Sequence, residues 1–143
     1  MQKPNIATKT KSYIYAVGRR KTGVAVVKLL KAKQTDQPIT VNGKPIEQYF
    51  PGESAKNIWQ EPFRTTNTFN VFTANVTIRG GGKSGQLGAF VHAVSRALTK
   101  SSSEKFRPIL KKRHLLTRDP RMKERRKPGL AHKARAKKQS PKR

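Results

Sequence analysis

The sequence has 143 residues, which suffice for one domain with a modest core but not for two ordinary ones, so we expect one domain with appendages. Its 33 Lys and Arg residues outnumber its 7 Asp and Glu residues, and the resulting net charge of +26 indicates a polyanionic partner. The absence of cysteine excludes disulfides, thiolate nucleophiles and cysteine-based zinc sites, and the three histidines are scattered, so we expect no metal, no cofactor and no enzyme activity.

The first residues lack apolar periodicity, so we expect a flexible basic arm over residues 1–11. No segment of the chain has the apolar core of a signal peptide, and none approaches the roughly 18 uncharged apolar residues of a membrane span. We therefore expect a cytosolic protein.

Two strands and a basic turn follow the arm. Tyr13–Val17 and Val24–Leu30 are rich in β-branched and aromatic side chains, and each has the length of a strand. In the connecting segment Gly18–Gly23, two glycines enclose three consecutive cations, which is typical of a turn that binds an anion. These cations are Arg19, Arg20 and Lys21. The alternative is a solvated hairpin loop, although such a loop usually mixes both signs of charge.

The middle of the chain is predicted to contain a small hairpin and two helical turns. Ile39–Val41 is a short strand that enters the turn-forming pair Asn42-Gly43. Helical turns are expected over residues 47–50 and 54–60, on either side of Pro51-Gly52. The side chains expected to pack on the sheet are Tyr49, Phe50, Ile58 and Trp59.

An alternating strand, a glycine loop and a helix come next. Apolar residues alternate over Phe69–Arg79, and after the loop Gly80–Gly85 they recur at helical spacing. The loop resembles the end of a nucleotide-binding phosphate loop, but Thr77 stands where the first glycine is required, so we reject a nucleotide site. The first N–H groups of a helix are unpaired, so the start of the helix still suits one RNA phosphate beside Lys83 and Ser84. The alternative is that the glycines only connect the strand to the helix.

The last part of the chain is a short helix followed by a basic tail. The helix is expected over residues 104–112, and its inward side chains are expected to be Phe106, Ile109 and Leu110. No core can form from Arg118 onward, and between Arg125 and Arg143 there are nine cations and no acid. We expect an extended tail that is disordered until it meets RNA, although basic tails also bind polyanions without specificity. The tail cations predicted to bind RNA are Arg118, Arg121, Lys123, Arg125, Arg126, Lys127, Lys133, Arg135, Lys137 and Lys138.

Four segments in order carry a resemblance: Ala16–Thr22, Ile46–Phe50, Gly80–Ala89 and Leu116–Leu130. With them the chain closely resembles the family of ribosomal protein nine of the small subunit, in its bacterial or organellar form, from about Ser12 to the end. Two departures are visible. The chain ends in Gln-Ser-Pro-Lys-Arg where the family usually has Gln-Phe-Ser-Lys-Arg, and it has Arg113-His114 where a glycine is usual.

The resemblance implies an α+β fold, with a mixed sheet backed by helices as in the second domain of ribosomal protein five, a left-handed crossover and a long extended basic C-terminal tail. The expected division is a basic arm over residues 1–11, a globular RNA-binding domain over 12–112 and the tail over 113–143.

The same resemblance implies a structural constituent of the small ribosomal subunit. Its body would bind small-subunit ribosomal RNA in the head, beside neighbouring head proteins and without forming homo-oligomers. Its tail would contact the peptidyl-site transfer RNA through Lys142 and Arg143. We expect the ribosome to be cytoplasmic, with an organellar one as the alternative. A free nucleic-acid chaperone is the competing function that the charge alone permits.

Overall fold

A five-stranded mixed sheet forms the centre of the fold in the computed structural model, which describes residues 13–31, 38–69 and 71–136. In chain order the strands are β1 (Ile14–Arg20), β2 (Gly23–Lys31), β3 (Thr40–Val41), β4 (Lys44–Pro45) and β5 (Phe72–Arg79). Their order across the sheet is β1-β2-β5-β3-β4. Neighbouring strands are antiparallel, except that β3 runs parallel to β5.

Four helices accompany the sheet in the described residues. They are α1 (Ile46–Tyr49), α2 (Glu53–Thr66), α3 (Lys83–Ser101) and α4 (Ser103–Lys112). The long helix α3 packs on β1 and β2, and α2 and α4 pack on α3. A mixed sheet backed by helices confirms the predicted α+β class. Within the described ranges, every helix is too short or too polar to span a bilayer.

The first hairpin is tighter than predicted. The expected connecting loop Gly18–Gly23 is wrong in extent, because β1 continues to Arg20 and the turn consists of Lys21 and Thr22 alone. Gly18 lies within β1, and it is glycine because its position faces the backbone of α3 so closely that no side chain fits. The three cations are therefore divided between a strand and a turn.

The second hairpin has the predicted form, and the strand β5 has it in its second half. Asn42 and Gly43 connect β3 to β4 with φ angles of 50° and 79°, the pair of positive values that a type I′ turn needs. From Asn75 to Arg79 the burial alternates as predicted, with Val76 and Ile78 buried and Thr77 and Arg79 exposed. The prediction was wrong in the first half, because β5 begins at Phe72 rather than Phe69 and Thr73 is buried together with its neighbours.

Two apolar side chains expected in the core lie at the surface instead. Ile58 in α2 is 45% exposed and Ile109 in α4 is 42% exposed. For Trp59 the prediction is confirmed, but for Ile58 it was wrong, because the buried stripe of α2 is formed by Trp59, Pro62, Phe63 and Thr66, at the spacing of one helical face. In α4 the inward position belongs to Leu110, which is fully buried, and the preceding residue therefore points away.

The core lies between the sheet and α3. Small residues dominate the contact: Ala16, Ala25, Ala89 and Ala93 are each at most 1% exposed. The larger buried side chains come from α2, α3 and α4 and are Trp59, Phe63, Phe90, Leu98 and Leu110. The sheet and α3 therefore approach closely, which brings the first hairpin, the glycine loop and the start of the tail together at one end.

Candidate nucleic-acid interface

The turn of the first hairpin packs directly on the glycine loop. A Cβ atom on Gly80 would lie 2.6 Å from the Thr22 carbonyl oxygen, and one on Gly81 would lie 3.1 Å from the Gly23 nitrogen. Both glycines also have positive φ angles, of 73° and 68°. Close packing and backbone conformation thus explain these two glycines without a phosphate. Gly82 differs, because its φ is −96° and a Cβ there would have nothing within 4 Å.

Helix α3 begins at this loop, with Lys83 and Ser84 both exposed. Gly82 caps the helix without a side-chain hydrogen bond, so no capping side chain takes up the first backbone N–H groups of the helix, which are the groups that suit an anion. The Lys83 ammonium turns back from the loop: it donates to the Tyr49 carbonyl oxygen at 3.1 Å and lies 3.8 Å from the centre of the Tyr49 ring. Its charge is therefore placed against α1 by a cation–π contact.

A polar network that the sequence did not reveal holds the loop in place. The Asn42 side chain accepts from the Ile78 backbone N–H at 2.9 Å and donates to the Ile78 carbonyl at 3.0 Å, so it acts as one more strand residue beside β5. The Tyr49 hydroxyl donates to Gln86 at 3.0 Å, and the Gln86 amide donates to the Gly80 carbonyl at 3.2 Å. The Asn-Gly pair marks Asn42 as a turn residue, but no pattern in the sequence marks these partners.

The three predicted cations of the first hairpin face different surroundings. Arg19 and Arg20 are neighbours in β1, and successive strand residues point to opposite faces. Arg19 and the turn residue Lys21 are exposed. Arg20 is half-buried and lies against α3, where a Cβ on Gly88 would be 2.9 Å from its Cγ atom. The three residues therefore do not form a single anion site.

Arg20 instead anchors the start of the tail. Its guanidinium lies 2.8 Å from the Asp119 carboxylate and donates to the Arg121 carbonyl at 3.2 Å. Asp119 also accepts from the backbone N–H of Arg121 at 2.9 Å and from its guanidinium at 2.6 Å. These hydrogen bonds from Arg121 hold the pKa of the Asp119 carboxyl well below its usual range, with Arg20 contributing less. A carboxylate shared by two arginines thus sets the direction in which the tail leaves the body.

The second acid of the tail is paired in the same way. Glu124 accepts from the guanidinium of Arg135, with 2.9 Å between Nε and Oε2, and these hydrogen bonds lower the pKa of the Glu124 carboxyl. The chain turns back between them: the Lys127 N–H donates to the Lys133 carbonyl at 3.2 Å. Residues 118–136 contain neither helix nor strand.

The remaining predicted tail cations in the described residues are exposed and have no acidic partner there. They are Arg118, Lys123, Arg125, Arg126, Lys127 and Lys133. Four predicted contact residues lie outside the described residues, as do the arm at 1–11 and the altered ending. They are Lys137, Lys138, Lys142 and Arg143.

Helix α3 closes the free edge of β1 with side chains four residues apart. His92 accepts from the Arg19 backbone N–H at 3.3 Å, Arg96 donates to the Val17 carbonyl, and Lys100 donates to the Tyr15 carbonyl at 2.8 Å. Four helical residues advance about 6 Å and two strand residues about 6.7 Å, so the two series stay in register.

His92 occupies one end of this series as a neutral ring. Burial lowers its pKa, and the positive charge of Arg96 lowers it further. A neutral ring is what the contact requires, because Nδ1 must keep its lone pair to accept from Arg19. His92 is therefore a structural residue that holds the edge of β1.

Comparison with known proteins agrees with the resemblance. The family model described as ribosomal protein S9/S16 matches residues 18–143. The small ribosomal subunit protein uS9 of Dehalococcoides mccartyi is 46% identical over 119 residues, which cover 83% of this chain and 87% of the relative. The uS9 protein of Maridesulfovibrio salexigens is 46% identical over 120 residues, covering 84% of this chain and 89% of the relative.

Proposed function

The chain belongs to the ribosomal protein S9/S16 family, and on that premise we propose that its body binds small-subunit ribosomal RNA in the head and that its tail contacts the peptidyl-site transfer RNA. As a member of the family it is a structural component of the small ribosomal subunit, with ribosomal RNA and neighbouring ribosomal proteins as partners. The proposed role makes and breaks no covalent bond, and its place is in the ribosome of the cytoplasm or of an organelle.

The pairing of the tail's acids is the observation that carries this proposal. Asp119 is shared by Arg20 and Arg121, and Glu124 is paired with Arg135. Both negative charges are therefore used within the protein, and the cations left exposed between residues 118 and 133 have none to compete with phosphates. Arginine is frequent among them, and its planar fork suits phosphate oxygens.

We propose the division predicted from the sequence: a basic arm over residues 1–11, a globular RNA-binding domain over 12–112 and a tail over 113–143. Leu115 and Leu116 still pack on the core, so within this division the tail leaves the body only after Leu116. The RNA contacts of the body are assigned to Arg19, Lys21, Lys83 and Ser84, with Arg20 acting through the tail it anchors.

The transfer-RNA contact is tested by removing Lys142 and Arg143 from the intact protein in purified small subunits. We expect subunits that assemble normally but hold peptidyl-site transfer RNA several-fold more weakly. The slope of log affinity against log salt should fall by about 2 in magnitude, one for each lost phosphate contact. Lys111→Gln/Lys112→Gln removes the same charge from exposed positions of α4 and should leave both values unchanged. Unchanged transfer-RNA affinity in the truncated protein would refute the tail contact.

The binding of ribosomal RNA is tested separately by sedimentation in moderate salt. A constituent of the subunit should remain with the subunits, whereas a free nucleic-acid chaperone should be released, because non-specific phosphate contacts weaken steeply with salt. Release of the protein at moderate salt would favour the chaperone.

A further inference from the structure

The face of the sheet opposite α3 is not covered by any element of the described residues. The register of the strands places its side chains in three rows across β1, β2 and β5. The rows are Tyr15–Lys28–Asn75, Val17–Val26–Thr77 and Arg19–Val24–Arg79. Most of these side chains are exposed, and the three valines are only half-buried. We call this surface the open face.

The open face has one sign of charge. No Asp or Glu occurs in β1, β2 or β5, whereas Arg19, Lys28 and Arg79 are all exposed there. Acids of the described residues lie elsewhere, on α1, α2 and α4 or in the ion pairs of the tail. A partner that covers the open face must therefore supply negative charge.

Two tyrosines at one end of the open face offer flat apolar surface. Tyr13 and Tyr15 are 49% and 48% exposed, and Tyr15 is directly opposite Lys28. The Lys28 ammonium lies 5.3 Å from the centre of the Tyr13 ring, so both rings and the ammonium share one side of the sheet. Residues two apart in a strand are about 6.7 Å apart, which leaves room for bases to stack on the rings.

We infer that the open face binds a single-stranded segment of ribosomal RNA, with bases stacked on Tyr13 and Tyr15 and phosphates bound by Arg19, Lys28 and Arg79. Asn75 and Thr77 lie between these groups and supply hydrogen-bonding side chains to base edges. An RNA duplex would present only phosphates and sugars and leave the two rings unused, so unpaired RNA fits better. The inference rests on the proposed function and extends its body contacts, of which Arg19 is one, to a whole face of the sheet that is separate from the tail.

A photocrosslinking map distinguishes RNA binding by the open face from RNA binding elsewhere on the protein. A benzophenone amino acid is placed at Asn75 or Thr77 in the intact protein, in assembled small subunits; Lys133 in the tail and Lys56 on α2 serve as comparison positions. We expect RNA crosslinks from Asn75 and Thr77. Protein crosslinks from these two positions would overturn the inference. RNA crosslinks from Lys133 alone would also overturn it, but they would leave the proposed function standing. Failure of the protein to enter subunits at all would refute the proposed function itself.

The stacking is tested on the RNA fragment recovered from those crosslinks. Tyr13→Ala/Tyr15→Ala should weaken binding of the intact protein about tenfold or more, whereas Tyr13→Phe/Tyr15→Phe, which keeps the rings, should bind as the parent does. Arg19→Gln/Arg79→Gln should lower the magnitude of the salt slope by about 2, and the tyrosine variants should not change it. Equal affinity of the alanine variant and the parent would refute stacking, and equal loss in both tyrosine variants would assign the contact to the hydroxyl groups.

Discussion

Gly18→Ala tests the close approach of β1 to α3, on which the whole site depends. A Cβ atom on Gly18 would lie 2.2 Å from the Ala89 carbonyl oxygen and 2.3 Å from the Ala93 nitrogen. Both are backbone atoms within a helix and cannot turn aside as a side chain does. Ordinary contact begins near 3.4 Å, so strand and helix would have to separate by about 1 Å.

That separation would loosen the best-packed part of the core. Ala16, Ala25, Ala89 and Ala93 are at most 1% exposed, and each would lose contacts across the widened gap. Overpacking a core typically costs about 1–3 kcal/mol, and a clash with rigid backbone belongs at the upper end. We expect the free energy of unfolding to fall by about 3 kcal/mol or more, which is a large share of the roughly 5–15 kcal/mol of an ordinary domain.

Urea unfolding measures this loss, followed by the fluorescence of the single tryptophan, Trp59, which is 5% exposed when folded. With a slope of about 1–3 kcal/mol per molar urea, the midpoint should fall by at least about 1 M. Gly82→Ala is the control, because a Cβ there meets nothing within 4 Å; it should cost at most about 1 kcal/mol, the preference for Gly over Ala at a helix cap. Equal stability of the two variants would refute the close-packing explanation.

Three further predictions concern the groups around the site. Because burial lowers the pKa of His92 below 6.5, the contribution of the neutral ring to stability is complete above that pH and is lost as the pH falls toward the lower folded-state pKa. The variant His92→Gln keeps an acceptor for Arg19, so it should lose less stability than the parent between pH 7.5 and 5.5 in urea unfolding. An equal loss in both proteins would contradict the assignment. Asn42→Gly should lower the free energy of unfolding by about 1 kcal/mol, because the side-chain hydrogen bonds to Ile78 are lost. Asn42→Ala should lower it by about 2 kcal/mol, because alanine must also adopt a φ of 50°. Equal costs in the same assay would show that the backbone conformation contributes nothing to the difference. In an NMR titration Arg121→Gln should return the pKa of Asp119 toward the ordinary aspartate range more than Arg20→Gln does, and the reverse order would refute the arrangement of the anchor.

The sequence alone supported most of the fold because its signals are local. The alternation in the second half of β5 and the Asn-Gly pair each depend on neighbouring residues, and both were confirmed. Helix faces were harder. Ile58 and Trp59 are adjacent and both apolar, and only the positions of Pro62, Phe63 and Thr66 decide which of the two faces the core.

The candidate site depended on contacts between distant residues, which local patterns do not reveal. Arg20 and Asp119 form an ion pair although 99 positions separate them, and this role of Arg20 as an anchor of the tail was not predicted from the sequence. The Asn42 amide pairs with Ile78, 36 positions later, and nothing near either residue indicates it. The surplus of exposed cations in the tail was predictable, because it follows from composition.

The closed edge of β1 has a consequence for how the chain is made. The side chains that bond to this edge come from residues 73, 79 and 85 positions later in the chain. At about 5–20 residues per second, the edge strand β1 is synthesised several seconds before Lys100 is added. During that interval its unpaired N–H and carbonyl groups are open to any other extended chain nearby. Completion of α3 ends this exposure, so the order of synthesis sets the period in which a nascent copy is most prone to mispairing.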